Sequence, residues 1–249
     1  MSSDFQGFNV VITGAGSGIG LAVAKKLQAQ GAQVFGLDLN AGDLDGVGTW
    51  IECDIGSDDS VTKAFASIAG KVSKIDVLIN NAGIGAQGGV EAATTEEWNK
   101  VLNINVIGTS RVSAAALPLL RKSADAAIVN TCSVVATVGL PKRAIYSASK
   151  GAILSLTLAM AADLLPEKIR VNCVNPGTAE TPWIGRLLSQ AADPAKERAA
   201  LEARQPMGRL VSADEVANAI IYLAHPGQKS TTGTVLAVDG GLHSLNLPK

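Results

Sequence analysis

TGAGSGIG, residues 13–20, follows the apolar run FNVVIT (8–13) and leads into the helical pattern GLAVAKKLQAQG. The order strand, glycine-rich turn, helix is a phosphate-binding arrangement. Gly14, Gly18 and Gly20 permit a tight turn, close approach of backbone to a pyrophosphate, and close helix–sheet packing, while the helix N-terminus favours the anion. Asp38 ends the next apolar run, AQVFGLDL (32–39), about twenty residues on. A carboxylate there can accept both hydroxyls of an adenosine ribose and repels a 2′-phosphate. Its neighbours Ala15 and Leu39 are uncharged, so the pattern predicts NAD rather than NADP.

Outward from that turn, short apolar runs alternate with helical patterns along the chain. TWIEC (49–53), IDVLINNAG (75–83), AAIVNTC (126–132), KIRVNCVN (168–175) and GTVLAVDGG (233–241) read as strands. Helices are expected from Ser57, an N-cap with Asp residues in the following turn, over about 95–121, over 144–164, and over 212–224. An irregular helical insertion covers about 183–210. Nearly all-apolar strands separated by helices predict an α/β fold with a parallel sheet covered on both faces. No repeat or low-complexity linker interrupts the pattern, which implies a single domain over residues 1–249.

The composition supports a large core and excludes several classes. Of 249 residues 47% are hydrophobic and 17% charged, with a net charge of −1. Clustered basic residues, the footprint of nucleic-acid or membrane-surface binding, are absent. Cys53, Cys132 and Cys173 lack metal or disulfide spacing, and no apolar run approaches the roughly 18 residues of a membrane span. These features predict a cytoplasmic protein with no bound metal.

Together, TGAGSGIG, NNAG (80–83), Asn105 in LNINVIG, Ser133, the pair Tyr146/Lys150 in YSASK, and NPG (175–177) resemble the short-chain dehydrogenase/reductase family. They occur in family order across nearly the whole chain, with Ser133 13 positions before Tyr146. The resemblance implies a Rossmann-type, doubly wound, seven-stranded parallel sheet, a homotetramer, and a catalytic group of Asn105, Ser133, Tyr146 and Lys150. The chemistry is sensible: an ammonium one helical turn from a phenol favours the phenolate, and a serine hydroxyl can steady a substrate oxygen. The implied cofactor contacts are Gly14, Ser17, Gly18, Ile19, Gly20, Asp38, Asn81, Ala82, Gly83, Tyr146, Lys150, Pro176 and Gly177. Asp54 and Ile55 could border the adenine, and Thr181 or Thr178 the nicotinamide carboxamide.

Substrate is read from the variable segments, among them the insertion 183–210, which the resemblance implies is a helical substrate lid. Arg143, Arg186 and Arg204 match the positions that bind the substrate carboxylate in cytosolic-type 3-hydroxybutyrate dehydrogenases. RQPMGRL (204–210) resembles dehydrogenases of 2-keto-3-deoxy-fuconate and -rhamnonate, whose substrates are also carboxylates. A guanidinium suits bidentate carboxylate recognition. Arg198 and Arg209 are expected to pair with nearby glutamates instead. The expectation is an NAD-dependent dehydrogenase of a small hydroxy or keto acid, first a 2-keto-3-deoxy sugar acid, then 3-hydroxybutyrate, then a neutral polyol or cyclic alcohol. A dinucleotide-sensing protein without catalysis is the remote alternative.

Overall fold

The structure, a computed structural model, describes residues 4–246. Six strands come in succession: β1 (Asn9–Thr13), β2 (Gln33–Asp38), β3 (Thr49–Glu52), β4 (Val77–Asn80), β5 (Ala127–Thr131) and β6 (Arg170–Pro176). Two-residue strands β7 (Ala179–Glu180) and β8 (Val211–Ser212) pair with each other, and β9 (Val235–Val238) completes the main sheet. That sheet has seven strands in the order β3-β2-β1-β4-β5-β6-β9, and every pairing is parallel. The winding reverses between β1 and β4, which opens a crevice at their carboxyl ends, the usual place for a ligand in such sheets.

Both faces are covered, which explains the apolar strands. Val10 and Ile12 of β1 point into a core with α1 (Gly18–Gln28) and α8 (Ala213–Ala224). Val11, between them, points into the opposite core with α2 (Asp58–Ala69), α4 (Gly108–Leu120) and α5 (Ala144–Leu164). Alternate side chains of one strand therefore serve two cores, and neither can be polar without a partner.

One polar network crosses the second face. Asn80 donates to Ser113 Oγ and Asn130 Oδ1, each at 2.9 Å, and Asn130 donates to Thr157 Oγ1 at 2.9 Å. These bonds tie β4, α4, β5 and α5 together; leaving such a buried partner unmet costs about 1–3 kcal/mol. Buried Arg170 closes the C-terminus of α8 by donating to the carbonyls of Leu223, Ala224 and His225. A cation suits the carbonyl-rich end of a helix.

Two expected elements are divided. The helix over 95–121 becomes α3 (Thr95–Leu102), a π-helical turn (Asn103–Ile107) and α4. The wide turn coincides with Asn105, whose side chain bonds the loop after β4 rather than solvent. The insertion forms α6 (Pro182–Ser189) and α7 (Pro194–Ala203), the latter restarted by Asp193, which accepts from Lys196 N, and by Pro194 in its first turn. The β7–β8 pair clamps the two ends of this insertion.

Contrary to the expectation that no run approaches the length of a membrane span, one helical stretch among the described residues, Ala144–Glu167, is long and apolar enough by composition to cross a membrane. It carries Tyr146 and Lys150 and contributes Ile153, Ala161 and Leu164 to the buried clusters.

The start of α1 depends on one close contact. A Cβ at Gly20 would lie 2.1 Å from the Gly14 carbonyl oxygen. Gly20→Ala is expected to lower unfolding stability by about 2 kcal/mol or more, read as a reduced denaturation midpoint; an unchanged midpoint would show that the turn has room to relax.

Candidate active site

The carboxyl ends of the strands enclose a cleft of about 540 Å³. At one end the glycine turn is held against the loop after β4. Thr13 Oγ1 accepts from the backbone N–H groups of Asn81 and Ala82, both at 3.0 Å, and Asn81 Nδ2 donates to the carbonyls of Thr13 and Gly14 at 3.2 Å. Gly14 and Gly18 have φ of 66° and 55°, the left-handed region that favours glycine. Ser17 precedes α1 without a side-chain cap bond, so the first N–H groups of the helix remain for an anion. Asp38 accepts from Gly16 N at 2.9 Å through Oδ2, which fixes the carboxylate beside the turn. Asp54 is steadied by Gly56 N at 2.8 Å.

At the other end, Ser133 follows β5, and Tyr146 and Lys150 come from the first two turns of α5. Lys150 is buried and donates to the Thr131 carbonyl at 2.8 Å; its Nζ lies 5.8 Å from the Tyr146 ring centroid. The ammonium is thus anchored beside the phenol, with Ser133 on the same wall. Asn105 sits behind that wall. It donates to Ile84 O at 2.9 Å and accepts from Ile84 N at 2.8 Å, and also donates to Ser149 Oγ. The carboxamide acts on the loop after β4 as a two-point clamp.

The expected residues mostly converge. Gly14, Ser17, Gly18, Ile19, Asp38, Asp54, Ile55, Asn81, Ala82, Gly83, Pro176, Gly177, Thr178 and Thr181 border the cleft with Ser133, Tyr146 and Lys150. Gly20 and Asn105 do not line it; Gly20 contributes close packing against Gly14, and Asn105 contributes through Ile84. Cys132 is a buried thiol that donates to the Lys150 carbonyl at 3.1 Å and packs with Cys173, in keeping with a core residue.

The arginines separate by partner. Arg198 forms ion pairs with Glu180 at 2.6 Å and Glu202 at 2.9 Å, and Arg209 with Glu215 at 2.7 Å. Arg143, Arg186 and Arg204 border the cleft, and among the described residues none of them has a carboxylate within ion-pair distance. Arg143 is the N-cap residue just before α5, as the helix expected over 144–164 implies. Backbone bonds from Gly88 N to Lys142 O and from Ala144 N to Gly88 O hold it, and its Nη1 donates to Ala86 O at 3.2 Å. Burial first, then the neighbouring Arg204 charge, hold its guanidinium below the ordinary arginine value; Tyr146 and Glu197 act in the opposite direction.

Sequence reading missed Trp183, whose ring lies 5.9 Å from the Arg143 guanidinium carbon. Gly85 leaves room for that ring, since a Cβ there would approach it to 2.9 Å. Ile84, Leu140 and Leu201 also border this end of the cleft. No periodicity marks these positions, because they come together only through tertiary packing.

A family profile described as enoyl-(acyl carrier protein) reductase matches residues 14–243. The chain belongs to the short-chain dehydrogenase/reductase family. It is an oxidoreductase of that family, whose members typically use a nicotinamide cofactor. It is 34% identical over 255 residues to 2-(S)-hydroxypropyl-CoM dehydrogenase 3 of Xanthobacter autotrophicus, covering 98% of this chain and 100% of that one. Identity to cis-4-hydroxycyclohexanecarboxylate dehydrogenase of Sinomonas cyclohexanicum is 36%, covering 93% and 94%. The ligand-free aldohexose dehydrogenase of Thermoplasma acidophilum superposes with a TM-score of 0.92 at 32% identity, over the full length of both chains.

The lid's exit is fastened by the start of α8. Ser212 accepts from Glu215 N and Glu215 accepts from Ser212 N, a reciprocal capping box. The Arg209 hydrogen bond first, then that backbone bond, hold the Glu215 carboxyl down to about 2. A lowered folded-state value stabilises above the unfolded carboxylate range, and the benefit disappears as pH falls through about 2. Glu215→Gln should lower stability near neutral pH by on the order of 0.5 kcal/mol, since the pair is exposed. Melting curves against pH should show the difference between variant and parent shrinking below about pH 4; a constant difference would exclude the ionic contribution.

Proposed function

We propose that this enzyme is an NAD-dependent dehydrogenase that interconverts a secondary alcohol and a ketone on a small carboxylate. The observation that carries this reading is the group of Arg143, Arg186 and Arg204, without carboxylate partners, on the cleft that also holds Tyr146 and Lys150. A carboxylate supplies the missing counter-charge and matches the guanidinium fork. A neutral polyol would leave three cations around an uncharged ligand. The relative named for cis-4-hydroxycyclohexanecarboxylate acts on a molecule that combines a hydroxyl and a carboxylate, which agrees with this class.

The residues present fit a dinucleotide. Gly14 and Gly18 border the cleft without side chains, Gly20 lets the turn close on Gly14, and α1 starts at Gly18 with no side-chain cap on its first N–H groups. Thr131 Oγ1 is buried at the cleft wall with no hydrogen-bond partner among the described residues. Asp38 would take the adenosine ribose, with Leu39 and Ala15 giving no cation for a 2′-phosphate, which favours NAD. NAD, when bound, supplies the hydride acceptor.

Tyr146 would take the proton of the substrate hydroxyl, with the Lys150 ammonium anchored near its ring by the Thr131 carbonyl. The Ser133 hydroxyl would donate to the substrate oxygen and steady its developing charge. Asn105 keeps Ile84 and the loop after β4 in place. Lys150 would also hold the nicotinamide ribose.

A 2-keto-3-deoxy sugar acid such as the fuconate or rhamnonate is the preferred substrate. The short RQPMGRL resemblance supports it, and its terminal methyl suits the wall of Ile84, Leu140, Trp183 and Leu201. The same apolar wall favours 3-hydroxybutyrate as the second reading. The homotetramer expected of the family agrees with the exposed apolar Leu158 and Leu165 on the long helix. Three free, buried cysteines agree with a reducing cytoplasm.

The deciding experiment is a screen with NAD and NADP against hydroxy acids, sugar acids and matched neutral amides. Turnover is expected with NAD and acids, and Arg143→Ala should raise KM for the acid by about tenfold or more while changing the amide little. Equal effects on acid and amide would end the carboxylate reading, and efficient use of NADP would end the Asp38 argument. Tyr146→Phe should reduce kcat by at least about a hundredfold with NAD affinity nearly intact; a large residual rate would remove Tyr146 from proton transfer.

A further inference from the structure

Gln205 follows Arg204 at the end of the lid and is 2% exposed. A buried carboxamide needs partners for both its donor and its acceptor ends. Directed so that both are satisfied, its nitrogen donates to Asp239 O at 3.2 Å, and its oxygen accepts from Thr178 N at 2.7 Å and Thr178 Oγ1 at 3.1 Å. The anchor is itself fixed: Asp239 accepts from Gly241 N at 2.9 Å and from His243 N at 3.1 Å. The approach is tight, since a Cβ at Gly177 would lie 2.5 Å from the Gln205 carboxamide. Thr178 borders the cleft.

We propose that Gln205 is a positioning residue that makes the Thr178 hydroxyl a hydrogen-bond acceptor toward the cofactor, and so selects a carboxamide over a carboxylate on the pyridine ring. This rests on the reading of Thr178 as a contact of the nicotinamide end. A threonine hydroxyl has one proton. With that proton given to Gln205, only lone pairs face the cleft. A carboxamide N–H can donate to them, whereas a carboxylate meets them with lone pairs of its own. The backbone leaves no substitute donor at this residue, because Thr178 N–H also goes to Gln205. The adjacent Arg204 faces the substrate end, so consecutive residues at the lid's exit address the cofactor and the substrate.

The test measures binding of NAD, of its nicotinic acid analogue (carboxylate in place of carboxamide), and of ADP-ribose, which lacks the pyridine ring. The parent protein should bind NAD about tenfold or more tightly than the acid analogue. Gln205→Met frees the threonine proton and should reduce that preference to within about threefold, while ADP-ribose affinity stays within about twofold. Gln205→Glu keeps both acceptor bonds to Thr178 and should retain the preference even if its melting temperature falls. An equal affinity of the parent protein for the two dinucleotides would overturn the proposal, as would an unchanged preference in folded Gln205→Met. A matching loss of ADP-ribose affinity in that variant would show a merely structural role. Failure of the parent protein to bind NAD while binding NADP would instead count against the cofactor reading.

Discussion

No side chain can stand between Gly14 and Gly20, and the geometry of the cleft follows from that contact. The chain leaves β1, turns within a few residues and enters α1 with its first N–H groups directed at the strand ends. The turn must be this tight for the helix to lie against the sheet, where Leu21, Ala24 and Leu27 join the core that includes Val10 and Ile12. The same turn meets the loop after β4 through Thr13 and Asn81. One backbone approach therefore joins helix packing, the reversal of sheet winding and the place where an anion can be held.

Charge at the substrate end follows a different constraint, the desolvation of cations. A guanidinium near apolar walls requires a counter-charge or hydrogen-bond acceptors. Arg198 and Arg209 find glutamates within the fold and fasten the lid. Among the described residues Arg143 has the Ala86 carbonyl and the ring of Trp183 as neighbours rather than an ion-pair partner, with Arg204 close enough to act on it electrostatically. The proposed carboxylate substrate would supply the counter-charge that the fold does not. The four arginines of the insertion thus fall into two groups, Arg198 and Arg209 paired with glutamates and Arg186 and Arg204 on the cleft with Arg143.

The sheet and helices were largely legible, because burial on both faces forces near-continuous apolar strands, and Ser57 and Ser212 announce helix starts with their own side chains. The exceptions were local. The break at Asn103–Ile107 was hidden because the partner of Asn105 is Ile84, 21 residues away. Tyr146 and Lys150 were legible as neighbours since α5 alone brings them together. Arg143 was legible as a residue just before the helix, but its pairing with Gly88 was not, since that partner lies in another segment. Trp183 and Gln205 carried no signal, since their partners lie in other segments.

By itself, the sequence determined the fold class, the dinucleotide turn and the Tyr–Lys pair, because each rests on short-range spacing or on burial that constrains residue type. Only the tertiary structure decided which arginines pair with carboxylates among the described residues, which border the cleft without one, and that Gln205 holds Thr178. Those outcomes depend on distances between groups far apart in the chain, and local periodicity contains no record of them.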